Sequence, residues 1–366
     1  MSISRRNDKN QLKRATGRGS EVLNQSRFDK LTRETDLSHF EYAEEDDFAS
    51  VQTQVLKDTS RKILSENDSP DVGFRFSINA YRGCEHGCAY CYARPTHEFL
   101  GHSAGLDFES KIYVKEQAPE LLREALMKKS WQPEAIMMSG VTDCYQPLER
   151  KYELTRKILR VLADFKNPVG LITKNHLITR DIDILSEMAE QELSVAFISV
   201  TTLDADLARK LEPRTSSPSA RLRAIEALAK AGIPVGVNVA PVIPGLTDHE
   251  MPQILEAAKN AGASQAGYVN LRLPHSVTEI FSEWLAQHRP DSRDKILSAV
   301  RSMRAGGLND PNFKSRMRGE GPKADHLRSM FHLFSKRYGL NQKSFNLRTD
   351  LFCRPGDQLG FCIPPV

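Results

Sequence analysis

Residues 233–273 read IPVGVNVAPVIPGLTDHEMPQILEAAKNAGASQAGYVNLRL. A β-branched apolar run, IPVGVNVAPVI, meets a Pro-Gly turn. It gives way to DHEMPQILEAAKNAG, where apolar residues recur at helical spacing, and then to a second apolar run, AGYVNLRL. Gly262 stands where a helix C-cap belongs, directly before that second strand. Two buried strands with a helix between them form a parallel βαβ crossover.

The same alternation extends toward the N-terminus. AIMMSG, PVGLITK and SVAFISVTT read as further strands, and FRFSINAY as the first of the series. ELTRKILRVLADF, RDIDILSEMAEQ and SPSARLRAIEALAKAG read as the helices, with Gly232 repeating the C-cap role of Gly262. From Gly73 to about Pro274 the fold class is therefore α/β, with about six βα units. These predict an open, partial (β/α)6 TIM-like barrel in a core domain spanning 65–274. Residues 1–64 read as an extension that is disordered or wrapped over the core. They are polar, basic at Arg5, Arg6, Lys13, Arg14 and Arg18, then acidic at Glu44, Glu45, Asp46 and Asp47. Residues 275–366 read as a helical region ending in the tail CRPGDQLGFCIPPV.

Composition is that of an ordinary globular chain, 40% hydrophobic and 27% charged over 366 residues. No apolar run reaches the roughly 18–20 residues of a membrane span. The opening MSISRRNDKN lacks the apolar core of a secretory signal. Both observations imply a reducing cytoplasm with free thiols and no membrane partner. Net charge is +4, yet Arg289–Asp350 carries fourteen Lys/Arg against six Asp/Glu. That basic region suits either a solvated helical surface or an anionic partner such as nucleic acid.

Three of the six cysteines crowd into Tyr81–Tyr92, YRGCEHGCAYCY, as C-x3-C-x2-C at Cys84, Cys88 and Cys91. A disulfide framework would be spread more evenly, so the clustering argues for a metal site. Three thiolates on one tight loop can hold three corners of an iron–sulfur cube and leave the fourth iron open. Structural zinc favours C-x2-C pairs, and His86 lies too close within the loop to complete a tetrahedron without strain. A zinc protein, or a non-catalytic cluster protein that binds nucleic acid or a protein partner, is the alternative reading.

The spacing, with aromatic Tyr90 before the last Cys and the loop placed after the first strand of a βα barrel, resembles the radical S-adenosylmethionine (SAM) superfamily. NAYRGCEHGCAYCYARPTHEFLG, VTDCYQPLE, LITKNHLITRDIDIL, ISVTTLDADLARKLEPRTSSPSARLRAI and GVNVAPVIPGLTD are similar to the branch of spore photoproduct lyase and its DNA-repair-photolyase-like relatives. The resemblance implies a [4Fe–4S] cluster on Cys84, Cys88 and Cys91 whose open iron chelates SAM. It further implies reductive cleavage to a 5′-deoxyadenosyl radical, lyase-like hydrogen abstraction, and an electron donor such as flavodoxin or ferredoxin. A nucleic-acid substrate follows by analogy.

In such barrels the ligand-facing atoms lie at the C-terminal strand ends. After AIMMS, the segment Ser139, Gly140, Thr142 and Asp143 occupies the slot that receives the SAM amino group, unless Asp143 or Thr142 serves only as a cap. Lys174, closing GLITK, suits the SAM carboxylate. Ser199 and Thr201 share one face of their strand and suit the ribose or carboxylate. Arg214, in Glu212-Pro213-Arg214, can grip a carboxylate bidentately. Tyr90 would pack near adenine, with Asn238 and 241–245 at the end of the fifth strand wrapping it. Arg272 ends the sixth strand and could face substrate. The hydrogen-donating cysteine of spore photoproduct lyase aligns at Gly140, so Cys144 is a displaced catalytic candidate or a buried inert thiol. His97 is the best candidate for a supporting role behind the cluster. Cys353 and Cys362 are too few to hold a second cluster.

Overall fold

A computed structural model describes residues 18–20, 27–28, 52–356 and the backbone of 362–363. In chain order the strands are β1 (Gln54–Lys57), β2 (Leu64–Glu66), β3 (Phe76–Ile78), β4 (Tyr81–Arg82), β5 (Lys111–Val114), β6 (Ile136–Met138), β7 (Val169–Thr173), β8 (Ser194–Ser199), β9 (Val235–Val242), β10 (Gln265–Asn270), β11 (Arg354–Pro355) and β12 (Cys362–Ile363). The helices are α1 (Leu106–Ser110), α2 (Ala118–Met127), α3 (Glu149–Tyr152), α4 (Leu154–Asp164), α5 (Ile182–Ala189), α6 (Ala205–Leu211), α7 (Pro218–Lys230), α8 (Met251–Asn260), α9 (Val277–His288), α10 (Arg293–Ser302), α11 (Ser315–Arg318) and α12 (Pro322–Arg337).

The main sheet runs β10-β9-β8-β7-β6-β3-β2. Its six strands β3, β6, β7, β8, β9 and β10 are parallel and follow one another across the sheet in sequence order, with β4 and β5 set aside in a second sheet. This is the α/β partial barrel expected from the βα pattern. Each crossover helix lays its apolar stripe on the outer face. Ile158 and Leu162 of α4, Ile225 and Leu228 of α7, and Ile254 and Leu255 of α8 share one core with Val169, Leu171, Val235 and Val237. Burying each such side chain stabilises by about 1.5–3 kcal/mol.

The alternate strand positions face inward and are packed at the lower end. Gly236 leaves room for the Phe197 ring, which an added Cβ would meet at 2.5 Å. Phe345 packs edge-on against the same ring at 6.0 Å. The segment after α12 crosses the N-terminal strand ends. Asn341 N–H donates to Ser264 O (3.0 Å), Arg348 N–H to Glu192 O (3.0 Å) and Cys353 N–H to Phe165 O (3.0 Å). The barrel is thus capped below, and its upper, C-terminal end holds the cysteine loop.

Several short elements were not legible in the sequence. FRFSINAY splits: β3 joins the main sheet, whereas β4 turns away to pair antiparallel with β5. Gln54–Lys57, placed in the extension, pairs parallel with β5 through β1. Strands this short and exposed carry no periodicity to read. No helix of the described residues is long and apolar enough to cross a membrane.

Candidate active site

The cysteine loop is held from beneath by polar side chains, chief among them Arg94. Arg94 is fully buried and uses all five of its N–H groups. Nε donates to Cys88 O (3.0 Å), Nη1 to Ala104 O (3.1 Å) and Gly105 O (2.8 Å), and Nη2 to Gly87 O (3.1 Å) and to the Glu109 carboxylate (2.8 Å). Gln146 Oε1 accepts from Glu85 N–H (2.9 Å), and Thr142 Oγ1 donates to Gly83 O (2.7 Å). Gly87 adopts a φ of 65°, and a Cβ there would meet Arg18 at 2.7 Å, so only glycine fits.

On this loop Cys84, Cys88 and Cys91 are free thiols, the first two buried and the third partly so. They lie within electrostatic reach of one another. Burial pushes the Cys84 thiol up to about 12, with Asp143 and Cys91 adding to it. That environment disfavours thiolates unless a cation compensates them. A single zinc would draw thiolates to about 2.3 Å from one point. Among the described residues no three His, Cys, Asp or Glu side chains converge in that way. Three thiols on one loop within electrostatic reach of one another fit three corners of a cube.

Above the loop, the strand ends supply one connected network. Tyr90 O–H donates to Glu212 and lies 3.2 Å from Thr201 Oγ1. Thr201 Oγ1 lies 2.7 Å from the Glu212 carboxylate and 3.0 Å from Ala240 O, both acceptors for its one proton. Lys174 Nζ donates to Ala240 O (2.9 Å), lies 3.5 Å from Glu212, and sits 5.8 Å from the Tyr90 ring centroid. Glu212 also pairs with the buried Arg221. Burial alone would raise the Glu212 carboxyl, but Arg221, Lys174 and the Tyr90 hydroxyl bring it down to about 2.

The structure thus brings Tyr90, Lys174 and Thr201 together beside the cysteines. The carboxylate that organises them is Glu212, whereas the sequence pointed to Arg214. Its only sequence signal was its place next to Arg214. Arg214 is instead held by Glu85 at 2.7 Å. Ser199 is buried at the end of β8, with its carbonyl accepting from Arg221 (3.0 Å).

The segment after β6 is a strained turn. Ser139 has a φ of 83°, and its Oγ accepts from Cys144 N–H (2.9 Å). Asn79 Oδ1 receives the Gly140 and Val141 N–H groups (3.0 and 2.9 Å), a role with no sequence signal. The Asp143 carboxylate faces β7, accepting from Thr173 Oγ1 (2.7 Å) and Lys174 N–H (2.8 Å), with His86 Nδ1 at 3.5 Å. A β7 tether, not an open acid, is therefore its place.

The remaining candidates each have a defined place. Asn238 sits within β9 rather than at its end, because that strand continues to Val242. Cys144 packs in the outer core with Ile136 and Ile158, and burial raises its thiol well above the ordinary value. Cys353 is disulfide-bonded and lies at the lower end of the strands, away from the cysteine loop. His97 is fully buried below Gly83, its Nε2 3.0 Å from Lys111 O.

Residues 78–258 match the Radical SAM superfamily. An uncharacterized protein of Mycobacterium tuberculosis is 36% identical over 248 residues, covering 67% of this chain and 72% of the relative. One of Methanocaldococcus jannaschii is 28% identical, covering 66% and 86%. A solved structure of a spore photoproduct lyase mutant with bound AdoMet and dinucleoside spore photoproduct shares the fold. Its TM-score is 0.59 at 15% identity, over 84% of this chain and 85% of that one. Members of this superfamily use a [4Fe–4S] cluster and SAM. The C-x3-C-x2-C loop and the ring of strand ends above it therefore have their family: this chain belongs to the radical SAM superfamily of enzymes.

Proposed function

We propose that Cys84, Cys88 and Cys91 hold the [4Fe–4S] cluster and that the strand ends above them hold SAM for hydrogen abstraction from a substrate. When bound, the cluster and SAM supply the electron and the 5′-deoxyadenosyl radical. The residues of the chain bind, orient and shield. Lys174 offers the SAM carboxylate the N–H that Ala240 O and Glu212 leave over. Arg214, held by Glu85, is the weaker candidate for that charge. Ser139, Gly140 and Thr142, with Asp143 bracing them against β7, form the amino-group slot. Thr201, Ser199 and Asn238 flank the ribose and adenine side, where Glu212 fixes the Tyr90 ring.

The observation that carries this reading is the single hydrogen-bonded network joining Tyr90, Thr201, Lys174 and Glu212 beside three free thiols. A nucleic-acid substrate is supported by the dinucleoside photoproduct bound in the solved relative, and by the basic charge of Arg289–Asp350. Part of that charge is used internally. Arg316 pairs with Asp71, Arg328 with Asp325 and Arg348 with Asp350. A flavodoxin or ferredoxin would deliver the electron.

Anaerobic reconstitution tests the reading. A brown protein whose spectrum changes on adding SAM, and which forms 5′-deoxyadenosine with dithionite, supports it. A colourless protein holding one zinc, or a cluster indifferent to SAM, sinks it.

A further inference from the structure

Arg272, just beyond β10, stands apart from every other arginine of the site. Nη1 reaches only the weak acceptor Met317 Sδ at 3.4 Å, and the buried Nε has no hydrogen-bond partner. No carboxylate among the described residues pairs with it. Asp71 is engaged by Arg316 and by the Lys314 N–H. Arg304 brings a second guanidinium nearby, itself bonded only to carbonyls, those of Asn270, Leu271 and Ser315. The Tyr92 ring lies 5.7 Å from the Arg272 guanidinium. Tyr92 follows the last cluster cysteine, is 51% exposed, and donates to Gly140 O (2.7 Å) at the end of β6. The line Arg272–Tyr92–Gly140 thus crosses the mouth of the barrel beside the SAM segment.

Asp71 and Asp310 lie within electrostatic reach of Arg272, but neither forms an ion pair with it. A part-buried guanidinium with an unmade donor and no ion-pair partner costs folding free energy unless a ligand completes it. The free Nε–Nη2 edge has the fork geometry that accepts two oxygens of one oxyanion. We propose that Arg272, screened by Tyr92, binds an oxyanion of the substrate, a phosphodiester or a carboxylate, at the barrel mouth. This rests on the preceding reading of the mouth as the SAM-cleaving site.

The test is the melting temperature of the anaerobically reconstituted protein in sodium phosphate, sodium acetate and sodium chloride at matched ionic strength, and with oligothymidylate. Wild type gains stability over chloride in the presence of the matching anion. Phosphate with oligothymidylate marks a phosphodiester, and acetate alone marks a carboxylate. Arg272→Met loses the gain, binding the anion about tenfold more weakly. In chloride it melts at or above wild type, because an unpaired buried charge has been replaced by an apolar side chain. Arg272→Lys keeps part of the gain, having charge without the fork. Equal gains in wild type and Arg272→Met, or no gain in any anion, overturn the inference. Melting requires no SAM cleavage, so failure here is distinct from failure of wild type to form 5′-deoxyadenosine.

Discussion

Replacing Arg94 by methionine tests whether the cysteine loop is held by a buried cation rather than by its own turns. Methionine fills much of the volume but removes all five donors. The carbonyls of Gly87, Cys88, Ala104 and Gly105 lose this donor. The Glu109 carboxylate, 1% exposed, loses its ion pair with Arg94 while keeping the Arg18 and Gly19 backbone N–H groups. Breaking one side of a buried ion pair costs about 3–5 kcal/mol, against a total stability of about 5–15 kcal/mol for a domain. The fold therefore survives. The loss is concentrated in the loop, because Gly87 and Cys88 supply two of the four carbonyls. Urea unfolding followed by circular dichroism, with iron measured per chain after reconstitution, reads both effects. The expected result is a lowered midpoint together with a sharp fall in bound iron. Arg94→Lys should fall between, since one ammonium can meet Glu109 but cannot span the carbonyls. Full iron and a stability within about 1 kcal/mol of wild type would refute the reasoning.

Changing Cys84, Cys88 or Cys91 to alanine should abolish iron binding and SAM cleavage together, whereas Cys144→Ala should keep iron and cost only about 1 kcal/mol, as iron analysis and melting will show. His97 is pushed down to about 4 by burial, with His102 adding to it. The unfolded chain takes up its proton near 6.5, so the His97 contribution is whole above pH 6.5 and is lost as pH falls toward 4, about 3 kcal/mol in all. His97→Gln should flatten that part of the stability–pH curve. Gly236→Ala should destabilise by about 1–3 kcal/mol, its Cβ meeting the Phe197 ring at 2.5 Å. Gly170→Ala should cost less, since its new contact is the flexible end of Met137. Thermal melts of both variants check the contrast.

By itself the sequence determined the βα alternation and the thiol triad. Both are local: strand and helix declare themselves by period, and three cysteines within eight residues must share a loop. The strand ends followed from the same periodicity, which is how Tyr90, Lys174 and Thr201 could be named. Only the tertiary structure decided which polar side chains were free. Asp143 and Arg214 had the right chemistry at the right strand ends, yet Thr173 and Glu85 occupy them. Glu212, Arg94 and Asn79, which organise the site, act on partners up to 122 residues away. A buried charge is defined by what surrounds it, and those neighbours come from separate strands and loops that meet only after folding. The same reason sets Arg272 apart, because its lack of an ion-pair partner appears only once the nearby carboxylates, Asp71 and Asp310, have been placed.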